Sequence, residues 1–176
     1  MVDVVDKKTR SRMMSAIKGA NTTPEILVRQ ALHARGFRFR IHDRRLPGTP
    51  DIVLPKWRVA IQVHGCFWHR HDGCRKATTP ANNSSFWREK FDANVARDAK
   101  TAEALMRRGW RLLIIWECAV EKAASQEFIG LVSAFITSAD HADSQYMEIG
   151  APISPENKPK FTGETSRKKS DKPNCI

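Results

Sequence analysis

From position 63 the chain reads Val63-His64-Gly65-Cys66-Phe67-Trp68-His69-Arg70-His71-Asp72-Gly73-Cys74, twelve residues with three histidines and two cysteines. No ordinary apolar core is built this way, because buried imidazoles and thiols need partners. Cys66, His71 and Cys74 have the spacing of a metal-binding loop, C-x4-H-x2-C, and Cys118 can return as a fourth ligand from just beyond the apolar run Arg111 to Trp116. Three thiolates and one imidazole suit a closed tetrahedral zinc with a structural role. The alternative is a set of unrelated reduced thiols. Cys175 stands apart from this group and reads as a free thiol.

Immediately before this run, Asp51-Ile52-Val53-Leu54 and Arg58 to Val63 are two short apolar stretches joined around Pro55-Lys56-Trp57, which predicts a hairpin. With the turn centred between Lys56 and Trp57, opposed positions sum to 113, so Asp51 lies across from Gln62 and His64 shares their face. A carboxylate and an imidazole thus meet at one end of a sheet. Phosphodiester hydrolysis needs a hard cation held by oxygen and a group that takes a proton from water. Asp51 can hold the cation, the Val63 carbonyl can add a ligand, and His64 or His69 can carry the proton. Taken alone, a Pro-Asp pair at a strand start is also ordinary turn chemistry.

The rest of the chain alternates between helical and extended patterns. Thr23 before Pro24 predicts a helix start, with Leu27, Val28, Ala31 and Leu32 as its apolar face up to Gly36. Phe37 to Ile41 has the period of a half-buried strand, and Leu46-Pro47-Gly48-Thr49-Pro50 forces a turn. A long helix is expected from about Ser85 to Arg108, then a buried strand over Arg111 to Trp116 and a last helix from roughly Gln126 to Ile136. Together these give an α/β sandwich around a central sheet. On the long helix, Phe91, Val95, Ala102 and Leu105 define an apolar face that also carries Asp98, whose carboxylate then requires a partner such as His69. Trp87, Lys90, Asn94 and Arg97 form another row, suited either to base stacking and groove contacts or to simple solvation. Glu25, in the first turn of its helix, reads by itself as a cap or dipole residue.

The chain has 176 residues, 30 of them Lys or Arg against 19 Asp or Glu, for a net charge of +11. That length suits one domain, and 41% apolar residues is too rich for a disordered basic chain. A folded domain meeting a polyanion is expected. No stretch approaches the ~20 apolar residues of a membrane span and the N-terminus lacks a signal-peptide pattern, so a cytoplasmic, nucleoid-associated protein is expected. From Glu156 onward there are six basic and three acidic residues, which leaves +8 on the remainder. Residues 1–140 are read as the domain, with a basic arm over 1–20, and 141–176 as a disordered basic tail. Residues Lys7 to Lys18, with Met13, Met14 and Ile17 at helical spacing, suggest a short amphipathic helix in the arm.

These residues resemble the very short patch repair (Vsr) DNA mismatch endonucleases. The resemblance rests on Asp6-Lys7-Lys8-Thr9-Arg10-Ser11, Thr23-Pro24-Glu25, Leu46-Pro47-Gly48-Thr49-Pro50-Asp51, His64-Gly65-Cys66-Phe67-Trp68-His69, Phe86-Trp87, Asn94-Val95-Ala96-Arg97-Asp98, Gly109-Trp110-Arg111 and Trp116-Glu117-Cys118, in that order. It implies a restriction-endonuclease-like fold of the PD-(D/E)xK type, with a mixed central sheet flanked by helices and a structural zinc. It also implies a monomer that uses Mg²⁺ to nick one strand next to the thymine of a T·G mismatch left by deamination of 5-methylcytosine. Carried over position by position, Asp51 and the Val63 carbonyl would bind Mg²⁺, while Glu25 and His64 would hold water on the cation or the phosphate. His69 would be the general base, supported by Asp98. Phe67, Trp68 and Trp87 would form an aromatic wedge, the arm with Met14 would clamp the opposite groove, and Lys90 and Asn94, beside Arg97, would contact the mispaired bases. Val63 stands where the family often has threonine, and the loop before Cys74 has one extra residue. On the residues alone, a nuclease of matched duplex at a specific sequence and a non-catalytic zinc-stabilised DNA-binding module remain open.

Overall fold

The computed structural model describes residues 9, 19–121, 125–138 and 145–150. Helix α1 spans Thr23–Ala34. Its cap is Thr22, one residue earlier than the sequence suggests: the Thr22 hydroxyl accepts from the Glu25 amide and the Glu25 carboxylate answers at the Thr22 amide, a complete capping box. Val28 and Leu32 are buried, but Leu27 is 40% exposed, so the apolar face is narrower than expected. The predicted strand over Phe37 to Ile41 shrinks to β1, Arg40–Ile41. Phe37 and Phe39 instead pack as partly buried side chains against the core below the sheet.

Strands β2 (Ile52–Leu54) and β3 (Val59–His64) form the expected antiparallel hairpin around a single 3-10 turn at Pro55–Trp57. Ile52 faces Ile61, which confirms the register sum of 113. After β3 come the short helix α2 (Cys66–His69) and the long helix α3 (Ser84–Arg107). Helix α3 stops where the sequence says, because Gly109 takes a left-handed φ of +72° and its amide returns to the Met106 carbonyl. Strand β4 (Arg111–Trp116) then runs parallel to β3, followed by α4 (Glu117–Val120), α5 (Gln126–Thr137) and β5 (Tyr146–Ile149).

The five strands lie in the order β1-β2-β3-β4-β5, antiparallel on one side of β3 and parallel on the other. All six residues of β4 are buried, as a central strand covered on both faces must be. One face packs Ile52, Leu54, Val59, Ile61, Leu113 and Ile115 against α1, α4 and α5. The opposite face packs Ala60, Leu112, Ile114 and Trp116 against Leu105 of α3 and Cys66 of α2. Arg111 is 2% exposed, and its guanidinium donates to the carbonyls of Phe135, Ile136 and Ser138, which satisfies the C-terminal end of α5.

Strand β5 corrects the domain boundary. A limit at residue 140 would leave Tyr146–Ile149 in the tail, yet Ile149 pairs with Ile115 and joins the buried core. The segment was missed because four residues with two exposed positions carry too little periodicity to read as a strand. Apart from Thr9, the Lys7 to Lys18 arm, Met14 included, and residues after Gly150 lie outside the described residues.

Candidate active site and metal centre

The C-terminal end of the β2–β3 hairpin opens into a cleft of about 910 Å³ lined by Glu25, His42, Asp51, Gln62, Val63, His64, His69, Asn94, Arg97 and Asp98, among others. Asp51 enters it from the start of β2. Its Oδ2 accepts the Val63 amide at 2.8 Å, so one hydrogen bond locks the carboxylate to the end of the neighbouring strand. Burial raises the Asp51 carboxyl to about 6 and the nearby Glu25 charge adds to the rise, against the Val63 amide and His42, which lower it. A carboxylate this reluctant to ionise gains strongly from a cation beside it.

Glu25 is 3% exposed and does two things at once. Within α1 it completes the capping box, and its Oε2 accepts from Arg29 Nη2 at 2.7 Å and from the Asn21 amide at 3.0 Å. Across the cleft, ligand atoms of Glu25, His42 and Asp51 lie within 4.8 Å of one another, a group able to hold a metal ion. His42 was not among the residues picked from the sequence. It has a left-handed φ of +47°, with Nε2 3.6 Å from Glu25 Oε2 and Nδ1 3.8 Å from Asp51 Oδ1. Its signal was faint, a lone histidine at the end of an alternating run.

On the far side, the partner that Asp98 requires is His69. His69 Nδ1 lies 2.5 Å from Asp98 Oδ2, which joins α2 to the middle of α3 and leaves Nε2 as the imidazole's other nitrogen. His64 stacks on His69 with ring centroids 3.9 Å apart and planes 11° from parallel. Burial, with the neighbouring His69, depresses His64 to about 3, so His64 is a neutral imidazole at physiological pH. Of the two histidines that could carry a proton, His69 is the one with an orienting carboxylate.

The second centre lies behind the first. One ligand atom from each of Cys66, His71, Cys74 and Cys118 falls within 4.8 Å of the others, so these four residues can hold a metal ion. His71 Nδ1 is 3.3 Å from Cys118 Sγ and 3.7 Å from Cys66 Sγ. Burial pushes the Cys66 thiol up to about 12, so a thiolate there needs a cation to stabilise it. The parallel pairing of β3 and β4 makes this possible: His64 sits beside Trp116, so the chain leaves both strands at the same level with Cys66 and Cys118 side by side. The His71 ring stacks on Trp116 at 4.3 Å, and Trp116 Nε1 donates to Glu148 of β5 at 2.9 Å.

The aromatic surface differs from the expected one. Trp87 is only 9% exposed, stacked on Phe91 and edged by Phe67, because the i, i+4 pair on α3 turns inward. Phe86, which enters the sequence motifs only as the neighbour of Trp87, is 55% exposed. Lys90 Nζ lies 5.4 Å from the Trp68 ring and 5.9 Å from the Phe86 ring, so the aromatic surface is exposed Phe86 and half-buried Trp68 with a cation near both. Asn94 spends its amide on the Trp68 carbonyl at 3.0 Å, which fixes α2 against α3 rather than leaving that donor for a base. Arg97 is exposed at the cleft rim.

The sequence profile of the DNA mismatch endonuclease Vsr family matches residues 2–76. The chain is similar to the DNA mismatch endonuclease Vsr of Escherichia coli K12, at 45% identity over 120 residues, covering 68% of this chain and 76% of that protein. It is also similar to the type II nicking enzyme V.XorIIP of Xanthomonas oryzae pv. oryzae, at 42% identity, covering 72% of this chain and 93% of that protein. The type II nicking enzyme V.NmeAIP of Neisseria meningitidis is 40% identical, with 70% and 88% covered. A chain that shares two-fifths or more of its aligned residues with each of these enzymes, across nearly the full length of one, belongs to the Vsr family of DNA mismatch endonucleases.

Proposed function

We propose that this nicking endonuclease of very short patch repair cuts one strand of DNA next to the thymine of a T·G mismatch, with Mg²⁺ at Asp51 and zinc at the four-residue cluster. The observation that carries the reading is the His69–Asp98 pair, set across one cleft from the partly buried Asp51 carboxylate. Where a hard cation would sit, Asp51 and Glu25 bring two carboxylates together beside His42, and with the Val63 carbonyl as a further oxygen that donor set would suit Mg²⁺. Bound there, Mg²⁺ supplies positive charge to the phosphate as negative charge builds on its oxygens.

The chain's own residues do the rest. His69 takes the proton of the attacking water, and Asp98 fixes the ring and stabilises the imidazolium that results. Neutral His64 holds water or a phosphate oxygen without competing for the proton, and Glu25, kept in place by Arg29, faces the same water. Trp68 and Phe67 enter the base stack from the major groove, where unstacking is least costly at a mispair, and Phe86, which shares the Lys90 ammonium with Trp68, adds to that surface. Arg97 meets the backbone, and the basic arm with Met14 holds the opposite groove. At the cluster, zinc–sulfur and zinc–nitrogen bonds of about 2.3 and 2.0 Å place tetrahedral ligands roughly 3.6 Å apart. The His71 separations of 3.3 and 3.7 Å from two sulfurs match that spacing. We read the fold as restriction-endonuclease-like, and the protein as a cytoplasmic monomer on the nucleoid that passes nicked DNA to other repair proteins.

The test is a nicking assay on T·G and matched duplexes of the same sequence, with and without Mg²⁺. The native chain is expected to cut only the T·G duplex and only with Mg²⁺, and Asp51→Ala to bind without cutting. Cutting of both duplexes alike would make it a restriction-type nuclease, and binding without any cutting a DNA-binding module.

A further inference from the structure

Gln62 is the one residue of the hairpin end to which the site described so far gives no task. It is 8% exposed, and its Oε1 is buried with no hydrogen-bond partner among the described residues. A buried amide oxygen left without a donor is costly, and native structures seldom keep one without a ligand to meet it. Gln62 also lines the cleft. The register that pairs Ile52 with Ile61 places it directly across from Asp51 when carried one residue further, and alternation along β3 puts it on the His64 face. The unpartnered oxygen therefore belongs to the same face and the same cleft as the carboxylate that holds the cation.

We propose that the side-chain oxygen of Gln62 is a further ligand of the cation held by Asp51 and the Val63 carbonyl. An amide oxygen is a hard, neutral donor of the kind Mg²⁺ accepts. Its neutrality matters here, because Glu25 and Asp51 already bring two carboxylates together, and a third would add to the repulsion that raises the Asp51 carboxyl. Gln62 gains its missing partner when the cation arrives, so its desolvation is spent in the cation-free protein and not again on binding. The inference rests on the Asp51 site proposed above.

Calorimetric titration of Mn²⁺ and Mg²⁺ into the full chain, without DNA, tests it on Q62M, Q62E and D51N. Q62M replaces the orphan oxygen by an apolar group of similar length and is expected to fold with an unchanged or higher Tm while cation affinity falls at least about tenfold. Q62E supplies a charged oxygen and is expected to bind the cation more tightly than the native chain. If both variants bind as the native chain does while D51N loses affinity, the Gln62 assignment is wrong and the Asp51 site stands. If D51N keeps native affinity, the Asp51 site itself fails. Should Q62M not fold, tighter binding by Q62E supports the assignment, and native or weaker binding by it overturns the assignment.

Discussion

Trp87 and Phe86 are adjacent in sequence and opposite in consequence. Trp87 is packed among Phe67, Trp68 and Phe91, so Trp87→Ala is expected to cost roughly 3–5 kcal/mol of stability, measured by urea unfolding. Phe86→Ala, on an exposed side chain, is expected to change stability by less than about 0.5 kcal/mol yet to weaken binding to a T·G duplex, measured by fluorescence anisotropy. Asp51 offers a second test at this scale. Its carboxyl is raised by burial from 3.8 to about 6, so between those values the folded protein stays protonated there while the unfolded chain does not, and stability falls as pH rises across that window. In metal-free buffer at pH 7, Asp51→Asn removes this penalty and is expected to raise unfolding free energy by about 3 kcal/mol at most. His64 acts in the other direction. Depressed to about 3, it contributes stability above 6.5 that is lost as pH falls toward 3, so acid unfolding of His64→Asn is expected to start at lower pH.

Helix α3 holds the His69–Asp98 pair and the aromatic surface together. Over its 24 residues it supplies Phe91 and Leu105 to the core, Asp98 to His69 and Asn94 to the Trp68 carbonyl, so one rigid rod positions the His69 imidazole and the aromatic surface at once. Asp98→Asn keeps the shape but removes the charge that, in the proposed mechanism, would stabilise an imidazolium at His69. It is expected to lower single-turnover nicking by roughly 10²–10⁴-fold with T·G duplex affinity within a few-fold of native. Loss of duplex affinity equal to the loss of rate would instead mean that Asp98 holds the fold of the loop. Helix α1 likewise joins structure to site, since the Glu25 that closes its capping box is also a wall of the cleft. A cap residue and a site residue are usually separate readings of one carboxylate; here the two roles coincide because the helix begins at the cleft.

Across the whole molecule, β5 closes the Cys66, His71, Cys74 and Cys118 cluster from a distance of some thirty residues beyond Cys118. A Cβ at Gly150 would lie 2.7 Å from His71 Cε1 and Nε2, so Gly150→Ala must push on the cluster histidine. It is expected to cost about 1–3 kcal/mol and to speed metal release to a chromogenic chelator. Cys118→Ser removes a ligand outright and is expected to lower Tm by roughly 10 °C or more, with the metal lost on gel filtration. Native stability in a metal-free Cys118→Ser protein would show that packing alone holds the two strand ends together.

Much of this was legible in the residues, for physical reasons that are local. The hairpin register followed from the turn, the stop of α3 from Gly109, the grouping of Cys66, His71, Cys74 and Cys118 from thiol and imidazole spacing, and the need of Asp98 for a partner from the cost of an unpaired carboxylate on an apolar face. What the chain could not announce depends on contacts between elements far apart in sequence. Whether Trp87 or Phe86 faces out is decided by Phe67 and Phe91 packing on one side of α3. That His42 joins Asp51 depends on a single left-handed residue after β1, and that Tyr146–Ile149 is a strand depends on an open edge of β4 waiting to be paired. The sequence by itself determined the chemical groups and the lengths of the main elements, because those follow from residue type and period. Only the tertiary structure decided which groups share a cleft, because burial and hydrogen bonding at each site are set by neighbours that no local pattern contains.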